Sequence, residues 1–388
     1  MRYDSARLTG FSDTAVKERK AGFDTPFFLL VLLLLTMGVV MVLSASFPRA
    51  YYDPGNITGG NAAYYFVRQL LFALLGTGVM LLASKLPMGF YRRYSFPFLA
   101  FALVLLMLVP FVGVKVNGSR RWLGVGGLTL QPSELAKLAV ILSFSVLICR
   151  MRGRMRTFRY GILPFGAILC AIVGLLVLEP HFSASIIIIA IGGVMLFLGG
   201  VRLGWFIGAA IAAGSALAVL LAFFPYASSR ITTWRDPFSS SSDEGYQIVQ
   251  SLYSIGSGGL SGLGLGGSRQ KFLYLPEEHN DFIFSIVCEE LGLIGATIIM
   301  LLFAALILRG YWIALHARDR FGSLLAVGMT TFVGLQVFLN IGVVTGLLPA
   351  TGISLPFFSY GGTALCIQLV EMGVVLSVSR QMKPGKSG

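Results

Sequence analysis

Apolar stretches long enough to cross the hydrocarbon of a bilayer as a helix, roughly 17–25 residues each, recur along the whole of this 388-residue chain. Ten are legible, at about 26–46, 64–84, 94–114, 133–149, 160–178, 183–200, 203–225, 282–308, 322–347 and 355–379. Lipid gives backbone N–H and C=O groups no partners, and the period-two alternation of membrane strands is absent, so helices are required. Charged residues make up 12% of the chain and its mean hydropathy is +0.80, whereas a soluble domain carries about 25% charged residues. These features predict an all-α polytopic membrane protein with ten transmembrane helices. One membrane domain is expected over 26–380, without an internal repeat, between polar tails at 1–25 and 381–388. The first tail has neither an apolar core nor a small-residue cleavage site, so the first span reads as an uncleaved anchor.

Lys and Arg in the short loops set the orientation. Lys85, Arg92, Arg93, the run Arg150, Arg152, Arg154, Arg156 and Arg159, then Arg202, Arg309, Arg318, Arg320, Arg380, Lys383 and Lys386 all fall on one side. That side is cytoplasmic, and both termini are placed there. The net charge of +13 is then largely a positive-inside bias scattered over short loops. A nucleic-acid partner, which would need a basic face on one soluble surface, is not expected. Cys149, Cys170, Cys288 and Cys366 lie far apart in or beside spans and form no disulfide or metal pattern.

The one long loop, 226–281, is expected on the outer face, and loops of that length are usually functional or disordered. A Ser-rich part, "DPFSSSSDEG", precedes "YQIVQSLYSIGSGGL", whose apolar residues have helical spacing. The loop then runs into "LYLPEEHNDFIFSIVCEELG", which holds five carboxylates in twenty residues. Glu277, Glu278, His279 and Asp281 sit just before an apolar run, at the outer interface. Read blandly, they are a solvated cluster at a helix start, where acids are favoured. Glu289 and Glu290 fall inside the span. If the helix begins near Asp281, Glu289 lies about 12 Å deeper at 1.5 Å per residue. A carboxylate at that depth faces a partner or a water-filled cavity. The outer acids are therefore expected at the mouth of a polar cleft.

Lys115, Arg120 and Arg121 sit in a short outer loop, against the positive-inside trend. Two readings stand for them: anion binding, for which Arg is suited by bidentate hydrogen bonding, or pairing with the acidic loop. Glu134 and Lys137, spaced i, i+3 at the start of a span, read as an intramembrane ion pair of structural character. Gly262, Gly264 and Gly267 match the dinucleotide string, but no strand or βαβ unit accompanies them, and that reading is rejected. "GLLPATGISLPFFSYGG", 346–362, reads either as a cavity-lining interruption or as a tight loop. His181 and His316 have no partners at ligand spacing, and no Walker, zinc or Ser-elbow motif occurs.

Three stretches, "NGSRRWLGVGGLTLQPSELAKL", "GLGLGGSRQKFLYLPEEHNDFIFSIVCEELGLIGA" and "LLPATGISLPFFSYGG", resemble the signature regions of the SEDS family, the cell-shape, division and sporulation proteins typified by FtsW, RodA and SpoVE. The similarity runs from the first span to the tenth. "SRQKFLYLPE", with Lys271 before the acidic motif, resembles the division and sporulation branch more than the elongation branch. The resemblance implies a ten-helix peptidoglycan glycosyltransferase that polymerises lipid II in the bacterial cytoplasmic membrane, in division or sporulation. It implies partners: a class B penicillin-binding transpeptidase and other division or sporulation membrane proteins. The essential acid of the family motif corresponds to Asp281, and the Arg-Trp pair to Arg121 and Trp122. Glu277, Glu278 and His279, with Ser359 and Tyr360, are expected to bind substrate. Glu134, Lys137, Glu289 and Glu290 are expected to form a structural polar core. The pyrophosphate leaving group calls for positive charge, from Arg121, Lys271 and Arg269 or from a divalent cation such as Mg or Mn; no protein metal site is expected. One departure is plain: many family members read a Gln-Pro-Asp-Leu-Gly-like motif after the fifth span, and this chain reads "EPHFS", Glu179 to Ser183.

Two other functions fit parts of the pattern. A flippase for the same lipid would use Glu289, Glu290 and the Glu134–Lys137 pair as a pathway, although the densest polar cluster lies at the outer face. A passive scaffold would leave the buried carboxylates without a purpose.

Overall fold

The computed structural model describes residues 23–52, 57–116, 119–125, 128–223, 232–239 and 243–382. Most of both expected tails and part of the 226–281 loop therefore lie outside the described residues, including Ser240 to Ser242 of the Ser-rich stretch. The helices are α1 Thr25–Tyr52, α2 Tyr64–Lys85, α3 Met88–Val112, α4 Pro132–Arg150, α5 Leu163–Leu178, α6 Phe182–Gly199 and α7 Leu203–Phe223. They continue with α8 Asp243–Gly258, α9 Ile283–Leu315, α10 Arg320–Val344 and α11 Gly362–Ser379. Among the described residues, nine are long and apolar enough to cross a membrane: α1 to α6, α5 counted with the π-helical turn Phe158–Ile162 that leads into it, and α9 to α11. The segment expected as the seventh span is helical over Leu203–Phe223.

Burial separates a central group from a lipid-facing rim. In α4 the most apolar window is 89% buried, and in α5 only 22%. α4 starts with Pro132 in its first turn, where a missing N–H costs nothing, and two of its three serines return their hydroxyls to the preceding turn: Ser143 donates to Ala139 O at 2.7 Å and Ser145 to Ile141 O at 2.7 Å. A helix surrounded by protein needs its polar groups satisfied in this way, because no water reaches them. α10 and α11 complete the centre, and α11 packs extensively along α2.

Three boundaries differ from expectation for physical reasons. First, the connection from α3 to α4 is a three-stranded antiparallel sheet, β1 Val114–Val116, β2 Ser119–Val125 and β3 Leu128–Leu130. β1 and β3 are too short to show alternation, and SRRWLGV of β2 does not alternate. Val114 pairs with Trp122 and Lys115 with Arg120, so β2 carries one extra residue, Arg121, opposite β1. Such a bulge re-aims a side chain. Second, the last helix begins at Gly362 rather than near 355, and the stretch before it is irregular. Asn340 Nδ2 holds that stretch by donating to Ile353 O, and Ser359 Oγ by donating to Asn280 O, at 2.7 and 2.8 Å.

Third, α9 is not continuous. Gly292 adopts φ 65 and ψ −171, which breaks the backbone ladder nine residues into the helix. The glycine-rich segment after α8 repairs the break. Leu263 N and Gly264 N donate to Glu289 O and Glu290 O at 2.9 and 3.0 Å; Leu293 N and Ile294 N donate to Gly259 O and Leu260 O at 2.9 and 3.1 Å. The groups freed by the kink thus find partners in another segment. This is the task of the Gly262–Gly267 string. Gly262 has φ +77, and a Cβ there would overlap the Glu290 carbonyl. Gly262→Ala should cost more than about 2 kcal/mol, from left-handed strain plus the clash. The loss would be read as a lower unfolding temperature and faster protease cleavage in the 226–281 loop; an unchanged Tm would show that the seam tolerates a side chain.

Candidate active site

At the end of the bundle that carries the sheet and the long loop, a cavity of about 550 Å³ opens between α2, α4, α6 and the segment before α11. Asp281 stands in its wall, on the turn just before α9. The main chain there is fixed: Asn340 Nδ2 donates to Asp281 O at 2.7 Å. Gly352, at φ +67, passes so close that a Cβ would lie 3.2 Å from Asp281 Oδ2. Burial, with Glu277 beside it, pushes the Asp281 carboxyl up to about 7, against the opposing pull of Arg121.

Arg121 and Trp122 reach the same cavity from β2. The bulge lets neighbouring residues face one side. Arg121 Nη2 donates to Pro180 O at 2.6 Å, which ties the sheet to the turn between α5 and α6. Glu277 lines the mouth and accepts from Asn280 Nδ2 at 2.6 Å. His279 and Tyr360 form a wall with Tyr65: the Tyr65 ring centroid lies 4.9 Å from each. Tyr360 N donates to His279 O at 2.9 Å, so the two expected substrate-binding segments are joined directly. Deeper in, Glu134 and Lys137 line the cavity and pair at 2.6 Å, as expected.

Other expected site residues lie elsewhere. Lys271, 3% exposed, does not line the cavity; its Nζ donates to Glu290 Oε1 at 2.8 Å. Ser44 Oγ of α1 also donates to Glu290, at 2.7 Å. Glu289 accepts from Ser254 Oγ, Ser268 Oγ and Arg269 N at 2.9, 2.6 and 2.9 Å. These two acids anchor the long loop at the broken helix rather than lead into a cleft. Because α9 starts at Ile283, Glu289 also lies only about 9 Å along it. The Arg269 side chain is exposed and outside the cavity. Glu278 is fully buried and meets Arg49 Nη1 at 3.3 Å and His279 Nδ1 at 3.6 Å, behind the wall. Ser359 is buried and bonds to main chain, accepting from Leu355 N at 2.7 Å. Lys271, Arg269, Glu278 and Ser359 thus do not line the cavity.

Several lining residues escaped the sequence reading. Arg49 and Arg68, near the cavity ends of α1 and α2, bring the positive charge that the sequence motif assigns to Lys271. A signal existed: like Arg121, both break the positive-inside trend. His181 lines the cavity too, 3.5 Å from Gln131 Nε2. Burial first, then Arg121 and Lys137, holds its imidazole down to about 3, so it is neutral. Isolated in the sequence, it carried no spacing signal. Glu371 of α11 is wholly buried, within Coulombic range of Glu134 and Lys137.

A family model described as cell cycle protein, covering FtsW, RodA and SpoVE, matches residues 24–384. The chain belongs to that family. Stage V sporulation protein E of Bacillus subtilis (strain 168) is 41% identical over 364 residues, 93% of this chain and 98% of that protein. A probable peptidoglycan glycosyltransferase FtsW of Trichlorobacter lovleyi is 39% identical over 367 residues, 94% of this chain and 95% of that one. Both are division or sporulation names, the branch that "SRQKFLYLPE" resembles. Among solved structures, one of a peptidoglycan synthase complex that coordinates polymerization and crosslinking superposes with TM-score 0.76 at 28% identity, covering 92% of this chain and 98% of that one. The rod shape determining protein RodA of Thermus thermophilus superposes with TM-score 0.67 at 27% identity, covering 94% and 98%. As a family member with this many apolar helices, the chain is a multi-pass protein of the cytoplasmic membrane. The family's fold brings Asp281, Arg121, Trp122 and Tyr360 to one cavity, and the EPHFS departure forms part of its wall through His181 and Ser183.

Proposed function

We infer that this peptidoglycan glycosyltransferase polymerises lipid II at the outer face of the membrane, with Asp281 as general base. The observation that carries the reading is the placement of one partly buried carboxyl, titrating near neutrality, in a cavity that also holds Arg121, Arg49 and Arg68. Both substrates of such a polymerisation are sugars on a membrane-anchored polyprenyl pyrophosphate, which suits a cavity opening at the loop end of a helical bundle. The acceptor hydroxyl oxygen attacks the donor's anomeric carbon as the bond to pyrophosphate breaks. Asp281 takes the hydroxyl proton, and the arginines stabilise the departing charge. An α-linked donor giving a β-linked product requires one displacement with inversion and no covalent enzyme intermediate.

Among the described residues, no three His, Cys, Asp or Glu side chains converge to hold a metal. A divalent cation, Mg or Mn, would be held chiefly by the substrate phosphates, with Glu277 at the mouth the carboxylate that could meet it, and would supply Lewis-acid help to the leaving group. A class B transpeptidase is the proposed partner, in line with the synthase complex to which the fold is similar.

The testing experiment is glycan-strand formation from labelled lipid II by the purified chain, with and without that transpeptidase. Polymer supports the reading; no polymer under either condition, together with lipid II crossing a bilayer, would transfer the case to a flippase.

A pH dependence follows with a definite sign. Only the deprotonated Asp281 accepts a proton, so the rate should fall about tenfold per pH unit below its titration near 7 and level off above it. Initial rates between about pH 5 and pH 8.5 check this; a flat profile would remove Asp281 as the base.

A further inference from the structure

The wall that carries Arg121 has a second face. The bulge turns Arg121 and Trp122 into the cavity, while Ser119 and Arg120, with Lys115 opposite on β1, line a different space. The turn between α5 and α6 divides in the same way: His181 lines the cavity and Glu179 the other side. That other side is a separate basin of about 280 Å³, lined by Lys115, Ser119, Arg120, Glu179, Pro110 and Leu178 among others.

Three features of the basin point to one kind of ligand. Two cations stand side by side, because Lys115 and Arg120 are register partners. Arg120 is pinned at the end of α3 by its Nη1, which donates to Pro110 O at 2.9 Å and Phe111 O at 3.5 Å. A guanidinium carries five N–H donors, so these bonds leave others for an anion. Next, Glu179 is 1% exposed, and neither of its carboxyl oxygens has a hydrogen-bond partner. Burial, opposed by Arg121, pushes it up to about 8, so at neutral pH it holds its proton and offers a donor rather than a repelling charge. A buried polar group without a partner is uncommon and calls for one. Finally, the rim is apolar and open: Phe111, Val112 and Leu178 are exposed at the ends of the lipid-facing helices α3 and α5.

We propose that this basin binds the phosphate of a membrane lipid, held by Lys115 and Arg120 with hydrogen bonds from Ser119 and Glu179, while the lipid's chain runs over Phe111, Val112 and Leu178. The shared chemistry is a lipid phosphate at the bilayer surface, from an anionic phospholipid or from a polyprenyl pyrophosphate. The site stands whether or not the polymerase reading does. It places a bound lipid across a single strand and one proline carbonyl from Arg121.

The test titrates the full-length chain in detergent with phosphatidylglycerol and, separately, with undecaprenyl pyrophosphate, following bound lipid by native mass spectrometry. Lys115→Gln/Arg120→Gln should weaken retention about 100-fold, about tenfold for each charge-assisted hydrogen bond removed. Glu179→Gln keeps a neutral donor and should stay within about threefold, whereas Glu179→Leu should weaken retention about tenfold. Weaker retention of either lipid supports the site, and which lipid responds names its source. Unchanged retention of both lipids by the double variant, its unfolding temperature intact, overturns it. Should the double variant fail to fold, Lys115→Gln alone, at an exposed side chain, decides: about tenfold weaker retention supports the site and no change overturns it.

Discussion

Asp281→Asn is expected to leave a folded protein that binds lipid II and makes no measurable glycan, with turnover reduced by about 10²–10⁴-fold, the range for loss of a general base. The amide has the shape of the carboxyl but cannot take a proton at any accessible pH. The backbone contact at this position, Asn340 Nδ2 to Asp281 O, does not involve the side chain, so the fold should hold. Asp281→Ala should behave alike, since Gly352 already packs closely and the small residue leaves only a modest void. Polymer from either variant at the wild-type rate would sink the assignment. Glu277, which lines the same mouth and interacts electrostatically with Asp281, would then be the next base to test.

Lys271→Met should destabilise the protein by about 3–5 kcal/mol, the cost of leaving one member of a buried ion pair without its partner. Lys271 and Glu290 are 3% and 1% exposed and 2.8 Å apart. Without the ammonium, Glu290 keeps only the Ser44 hydroxyl at 2.7 Å and Ser268 N at 3.4 Å. Replacing both partners, in Lys271→Met/Glu290→Gln, should recover most of that stability, since a neutral pair incurs little desolvation. Activity separates two roles for this lysine. If Lys271 anchors the loop, the double variant regains polymerisation together with its Tm. If it contacts pyrophosphate, as adjacency to the acidic motif implies, the double variant regains its Tm and remains inactive.

Most of the helical frame was legible, because a span is a property of one continuous stretch: about 20 apolar residues cross the bilayer wherever they occur. α4 shows the limit of that signal. Its sequence reads like any other span, yet its surroundings make it the centre of the bundle. The sheet at 114–130 was illegible because β1 and β3 have three residues each, fewer than a period-two pattern needs, and the seven of β2, SRRWLGV, do not alternate. The kink at Gly292 was illegible because its compensation comes from Gly259 and Leu260, in a different segment of the chain.

The candidate site divides along the same line. Asp281, Arg121 and Trp122 were read from motifs and do meet in one cavity, and Glu134 and Lys137 do pair, because i, i+3 neighbours on a helix must be close. Lys271 and Glu278 lie outside that cavity, because a charged side chain beside a motif in sequence can point away from it in space and pair elsewhere. His181, Arg49 and Arg68 were passed over because each stands alone locally. Sequence by itself determined the membrane class, the helical form, the family and the acid at the cavity's edge, all of which rest on composition, period and contiguous motifs. Only the tertiary structure decided which charges face the cavity and which are spent on one another. The physical reason is that the fate of a buried charge depends on its partner, and Glu290 finds Ser44 across 246 residues of chain.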